Sequence, residues 1–134
     1  MFDGCEKLEE IDFSIFSNRT SIPEYCFRNC KTLTNYNANY LNIGNYAFSG
    51  CNNLKFLEDT EIGSIGIGGL EGCQQLEYIY YAYSDNISPG ACANCINLRV
   101  FNGPSARGVL DHPINDPEGP YLGAFENCIN LEII

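Results

Sequence analysis

Apolar residues recur in this chain at a spacing of three, in a block that repeats from one end to the other. Phe48, Cys51, Leu54 and Leu57 carry the block, Phe-x-x-Cys-x-x-Leu-x-x-Leu. With the cysteine as position zero, its copies centre on Cys5, Cys30, Cys51, Cys73, Cys95 and Cys128. Position +3 is leucine every time, at Leu8, Leu33, Leu54, Leu76, Leu98 and Leu131. Position +6 is large and apolar, at Ile11, Tyr36, Leu57, Ile79, Phe101 and Ile134. Position −3 reads Phe2, Phe27, Phe48, Leu70, Cys92 and Phe125. Position −1 is Gly or Asn throughout, and position −8 is isoleucine at Ile22, Ile43, Ile65 and Ile87. The cysteines are 25, 21, 22, 22 and 33 residues apart.

A period of roughly 20–29 residues is the mark of a leucine-rich solenoid. One such repeat cannot bury its own apolar face, so it lies against copies of itself. Leu at +3 and the residue at +6 then point into a shared core. The chain from there to +8 is extended and pairs with the same segment of the next repeat, which predicts strands at Glu9–Phe13, Leu33–Ala38 and Leu76–Tyr81. Phe at −3 belongs on a short helical or 3-10 turn opposite. Gly or Asn at −1 suits a reversal that needs positive φ. Cysteine at zero is small, tolerates burial and carries a weak S–H donor that can face backbone carbonyls.

Ile43-Gly44, Ala47-Phe48, Cys51 and Leu54, and again Ala124-Phe125, Cys128 and Leu131, resemble the BspA-type (Treponema pallidum-type) leucine-rich repeat. The resemblance covers nearly the whole chain. It implies an α/β repeat solenoid over residues 1–134 as one domain. This would be a right-handed coil of about six turns, with a parallel β-sheet on one face and helical or 3-10 turns on the other. It also implies a surface or secreted protein used for adhesion and protein binding, with no shared catalytic residues. The expected location is therefore extracellular or at the cell surface.

Composition narrows the partners. With 7 basic and 17 acidic residues, the chain carries a formal charge of −10, which argues against nucleic acid and anionic membranes. No apolar run approaches the roughly 18 residues of a membrane span. Met1-Phe2-Asp3-Gly4 has neither a basic start nor an apolar run, so no signal peptide is expected here. The chain starts inside a repeat and stops at a +6 position. Either it is a piece of a longer array or its open ends meet something.

Eight cysteines invite a disulfide framework. Six of them recur in one environment and point the same way, which is poor geometry for S–S bonding, so reduced structural thiols are expected. Cys26 stands at −4, where other repeats have Ala47, Ala91 and Ala124, and Cys92 stands at −3. Both read as small core residues. Cys92-Ala93-Asn94-Cys95 is a Cys-x-x-Cys, but the repeat accounts for both thiols without redox or zinc chemistry. No metal or other cofactor is expected. The Gly-rich stretch Gly66–Gly69 lies at a repeat bend rather than between a strand and a nucleotide-binding helix, which argues against a phosphate cradle.

Chemistry is sparse. His112 is the only histidine and lies in the insertion over 103–120, so no Ser/His/Asp set is expected, and the chain is not expected to be an enzyme. The rhythm breaks once, over 103–120, where four prolines and three glycines predict an irregular loop carrying Arg107, Asp111 and His112. Such loops on repeat proteins often carry function. Asn18 and Asn86 head glycosylation sequons, meaningful only in a glycosylating compartment. The best candidate surface is the outer side of the strands, positions +5 and +7. It carries Phe56, Glu58, Tyr78, Tyr80, Val100 and Asn102, an aromatic patch beside acidic and amide groups suited to a protein or glycan partner. The alternative is a structural subunit that assembles end to end with copies of itself through its uncapped terminal repeats.

Overall fold

The structure, a computed structural model, describes residues 1–12, 20–37, 40–56, 60–81, 87–102 and 123–132. Two positions in each repeat adopt the left-handed backbone conformation, and they shape everything between them. Position −1 does so at Gly4, Asn29, Gly50, Gly72, Asn94 and Asn127, as its residue types predict. Position −5 does so at Tyr25, Tyr46, Gly68, Gly90 and Gly123, which the repeat pattern alone did not reveal.

Between these two positions the backbone amides alternate in their partners. In the repeat of Cys51, the amides of Ala47, Ser49 and Cys51 donate to the carbonyls of Gly44, Tyr46 and Phe48, three residues back, at 3.0–3.2 Å. Those of Tyr46, Phe48 and Gly50 donate to Ile67, Gly69 and Glu71 of the following repeat, at 2.8–2.9 Å. Every amide is satisfied, half of them locally and half across repeats. A helix would claim all of them for its own segment, so helical geometry and this ladder exclude each other. The helical or 3-10 turns expected here are accordingly corrected to single hydrogen-bonded turns. Among the described residues no helix occurs, so the α part of the α/β expectation has no counterpart there.

The single sheet expected from the pattern is likewise two. Strands β1 (Glu10–Asp12), β3 (Asn35–Asn37) and β5 (Lys55–Phe56) form one parallel sheet in the order β1-β3-β5. Strands β2 (Thr20–Ile22), β4 (Tyr40–Ile43), β6 (Glu61–Ile65), β7 (Tyr78–Tyr81) and β8 (Val100–Asn102) form the other, in the order β2-β4-β6-β7-β8. The extra strands β2, β4 and β6 end on or run to the −8 isoleucines, whose side chains are buried. In the later repeats β7 and β8 hold the post-cysteine positions, yet β7 pairs with β6. The five-stranded sheet therefore changes the repeat position it uses partway along.

The core is what the pattern requires. Leu33, Leu54, Leu76 and Leu98 at +3 are fully or almost fully buried, each contributing about 2 kcal/mol of transfer free energy. The rings of Phe2, Phe27 and Phe48 stack from repeat to repeat at 5.3 and 5.4 Å. Tyr36 meets Phe27 and Phe48 edge-on, an arrangement favoured by the ring quadrupole. At −7 the backbones of adjacent repeats approach closely. A Cβ on Gly44 would fall 2.7 Å from the Ile22 carbonyl oxygen and 2.9 Å from the Glu24 amide nitrogen, so any side chain there would push two repeats apart.

Candidate functional site

Strand alternation exposes one side of β7 and β8. Tyr78 and Tyr80 are 39% and 38% exposed while Ile79 between them is 1% exposed. Phe101 is fully buried, Val100 half-buried and Asn102 exposed. Parallel register sets Tyr78 beside Val100 and Tyr80 beside Asn102. Four of the six residues singled out on the sheet face thus share one surface.

Of Phe56 only the backbone is described. Its backbone belongs to the three-stranded sheet, opposite Tyr36. The neighbour of Tyr80 on the other side is Glu61 of β6, itself exposed. Among the described residues, β7 pairs with β6, the strand that leads into its own turn. Glu58, the loop residues Arg107, Asp111 and His112, and the sequon residues Asn18 and Asn86 lie outside the described residues.

Beside the tyrosines, Glu77, Asn97, Arg99, Asn130 and Glu132 line an open groove of about 340 Å³. Asn97 and Asn130 donate to the carbonyls of Gln74 and Ile96, each at 2.8 Å, so their amides are committed to holding repeats together. Arg99 approaches Glu132 at 3.5 Å, with both side chains more than half exposed. Such a surface pair contributes little.

The turn side carries a cluster the sequence reading missed. Tyr25 and Tyr46, both at −5, stack at 5.5 Å with planes 1° apart. The Arg28 guanidinium lies over the Tyr25 ring at 4.7 Å and reaches the Asp3 carboxylate with two nitrogens, Nε at 3.2 Å. Hydrogen bonding from Arg28 holds the Asp3 carboxyl below the usual range. The available signal was Tyr at −5 in two adjacent repeats with Asp and Arg at −2.

All eight cysteines are free. Those at position zero donate Sγ–H to the carbonyl of the −3 residue one repeat earlier. Cys30 reaches Phe2, Cys51 Phe27, Cys73 Phe48, Cys95 Leu70 and Cys128 Cys92, at 2.9–3.4 Å. Cys92 and Cys95 are fully buried, and burial pushes both thiols far above their ordinary range. Cys95 is a donor in this ladder and Cys92 supplies the carbonyl that accepts from Cys128; both are held as neutral thiols rather than nucleophiles.

Residues 1–112 match the family described as BspA type leucine rich repeat region, in six copies. The chain belongs to this family. A BspA-type chain is a repeat solenoid, and the repeat of Cys128 carries the same turn and thiol contact beyond the matched residues. Comparisons with curated proteins and with solved structures each found no match. BspA-type repeats serve generally as protein-interaction modules, typically without catalysis and typically surface-associated.

Proposed function

We propose that this chain is a non-catalytic binding module of a cell-surface or secreted protein, and that it grips a protein or glycan partner with the outer face of β7 and β8. The observation that carries this reading is the pairing of Tyr78 with Val100 and of Tyr80 with Asn102 on one exposed face. Two half-exposed tyrosines on paired strands offer a large, rigid contact area with polar tips, at low cost in side-chain entropy. The strand that carries them, β7, is paired with β6 on one edge and β8 on the other, so the rings are presented on a preorganised platform.

The test begins without a known ligand. The purified chain is used to select from a displayed random-peptide library and to probe a glycan array, in parallel with the Tyr78→Ala/Tyr80→Ala variant. Circular dichroism and the urea midpoint check that the variant stays folded. Ligands kept by the parent chain should be lost on the double variant. Ligands retained equally by both would overturn this reading.

A further inference from the structure

On the basis of that same face, we infer that its occupant is a basic protein segment, with a lysine or arginine side chain lying between Tyr80 and Glu61. Glu61 and Tyr80 are Cα partners on adjacent parallel strands, and both side chains are exposed. Neighbouring strands lie about 4.8 Å apart, and residues in register on one face are in reach of one another. A carboxylate and an aromatic ring therefore stand side by side with their open sides toward solvent. Among the described residues, no cation pairs with Glu61.

The molecule shows on its other side how such a pair is filled. There Arg28 covers the Tyr25 ring at 4.7 Å while its guanidinium holds Asp3 of the preceding repeat. One tyrosine and one carboxylate on different repeats are thus bridged by a single arginine. On the sheet face the tyrosine and carboxylate recur across adjacent strands, and the described residues supply no arginine to bridge them. Arg99, just before β8, lies 3.5 Å from Glu132 instead.

The wider field favours the same occupant. The chain carries a formal charge of −10, which attracts a basic segment over long range and raises its encounter rate. The ring face then adds cation–π attraction, strongest where a guanidinium is partly desolvated. Asn102 on the far side of Tyr80 offers an amide to a backbone group of the same segment. A neutral or acidic ligand would gain only the tyrosine contacts and would meet the field with the wrong sign.

The probe is an acetylated, amidated peptide of alternating Arg and Gly, with its citrulline counterpart as the neutral control. Binding is followed by amide chemical shifts of the isotope-labelled chain. Shifts should concentrate on β6, β7 and β8 for the arginine peptide and be absent for the citrulline peptide. Glu61→Gln should weaken binding roughly 3- to 5-fold, as expected for a cation held by a ring and a carboxylate near the surface. Glu126→Gln, which removes the same charge from the turn side, should leave it unchanged. Tyr80→Leu, which keeps apolar area but not the ring, should weaken it as Glu61→Gln does. Equal effects of Glu61→Gln and Glu126→Gln would mean diffuse attraction only and would overturn the inference. Library ligands lost on the double tyrosine variant but lacking Lys and Arg and indifferent to Glu61→Gln would leave the face in place and remove the basic occupant. Ligands indifferent to both would remove the two together.

Discussion

Cys51 places its Sγ 2.9 Å from the carbonyl oxygen of Phe27, which also accepts the amide of Cys30 at 3.2 Å. The thiol thus fills the second lone pair of a carbonyl buried away from water, as one more hydrogen bond on an acceptor that is already paired. Sulfur suits the place because its larger radius fills the bend while its weak polarity keeps desolvation cheap. Burial, the dominant cause, and the neighbouring Cys30 push the Cys51 thiol up to about 12. The folded state therefore holds this proton more tightly than the unfolded chain, where the thiol titrates near 9. The stabilisation is complete below pH 9 and drains away as pH rises toward 12, at about 1.4 kcal/mol per pH unit. Cys51→Ser removes this titration and keeps a donor. The gap in urea midpoint between parent and variant should hold steady from pH 6 to 8 and shrink above pH 9. Parallel curves up to pH 10.5 would show that the thiol is not the group responsible.

At the level of the turn and the strand, burial was legible where it depends on repetition alone. The +3 leucines, the −8 isoleucines and the left-handed −1 position all follow from residue type in register. Position −5 was not legible, because Tyr25 and Tyr46 share it with Gly68, Gly90 and Gly123. Tyrosine seldom takes a left-handed conformation, and only the ring stack shows what holds it there. The two-sheet division was hidden for another reason. Which strand lies beside β7 depends on register between distant segments, and strands as short as Thr20–Ile22 carry no alternation to read. The tyrosine face was visible from alternation within one strand, whereas Glu61 as its neighbour was not. A second cross-repeat device emerges at +2. Asn53, Asn97 and Asn130 each donate Nδ2 to the +1 carbonyl of the repeat before, at 2.8 Å. Asn97→Ala should cost about 1 kcal/mol in urea unfolding, the usual net worth of one such bond. Asn97→Asp should cost more at pH 7, where a carboxylate faces the Gln74 carbonyl, and recover part of the loss near pH 4. An Ala variant as stable as the parent would reduce these amides to surface decoration.

Among the described residues, the turn ladder and most strand pairings join neighbouring repeats. Stability in such an array is a sum of repeat terms and neighbour terms, so opening can be local rather than global. The thiols report on this directly, because each repeat carries one at position zero. Cys5 and Cys128 are half-buried, while Cys30, Cys51, Cys73 and Cys95 are fully buried. A thiol reacts as thiolate and only when reached. Burial raises Cys128 to about 11 and Cys73 well beyond its ordinary range. With an aromatic disulfide reagent at pH 8, Cys5 should react first and Cys128 next. The fully buried thiols should lag Cys5 by roughly 100-fold or more, in proportion to the free energy of opening their repeats. Mass spectrometry of quenched samples identifies each labelled cysteine in turn. Added urea below the midpoint should accelerate the inner thiols more than Cys5, since their exposure requires more surface to open. If Cys51, Cys73 and Cys95 instead share one rate equal to that of global unfolding, the array is a single cooperative unit. The neighbour terms would then be strong enough to suppress every partial state, and the tyrosine face would be as rigid as the core behind it.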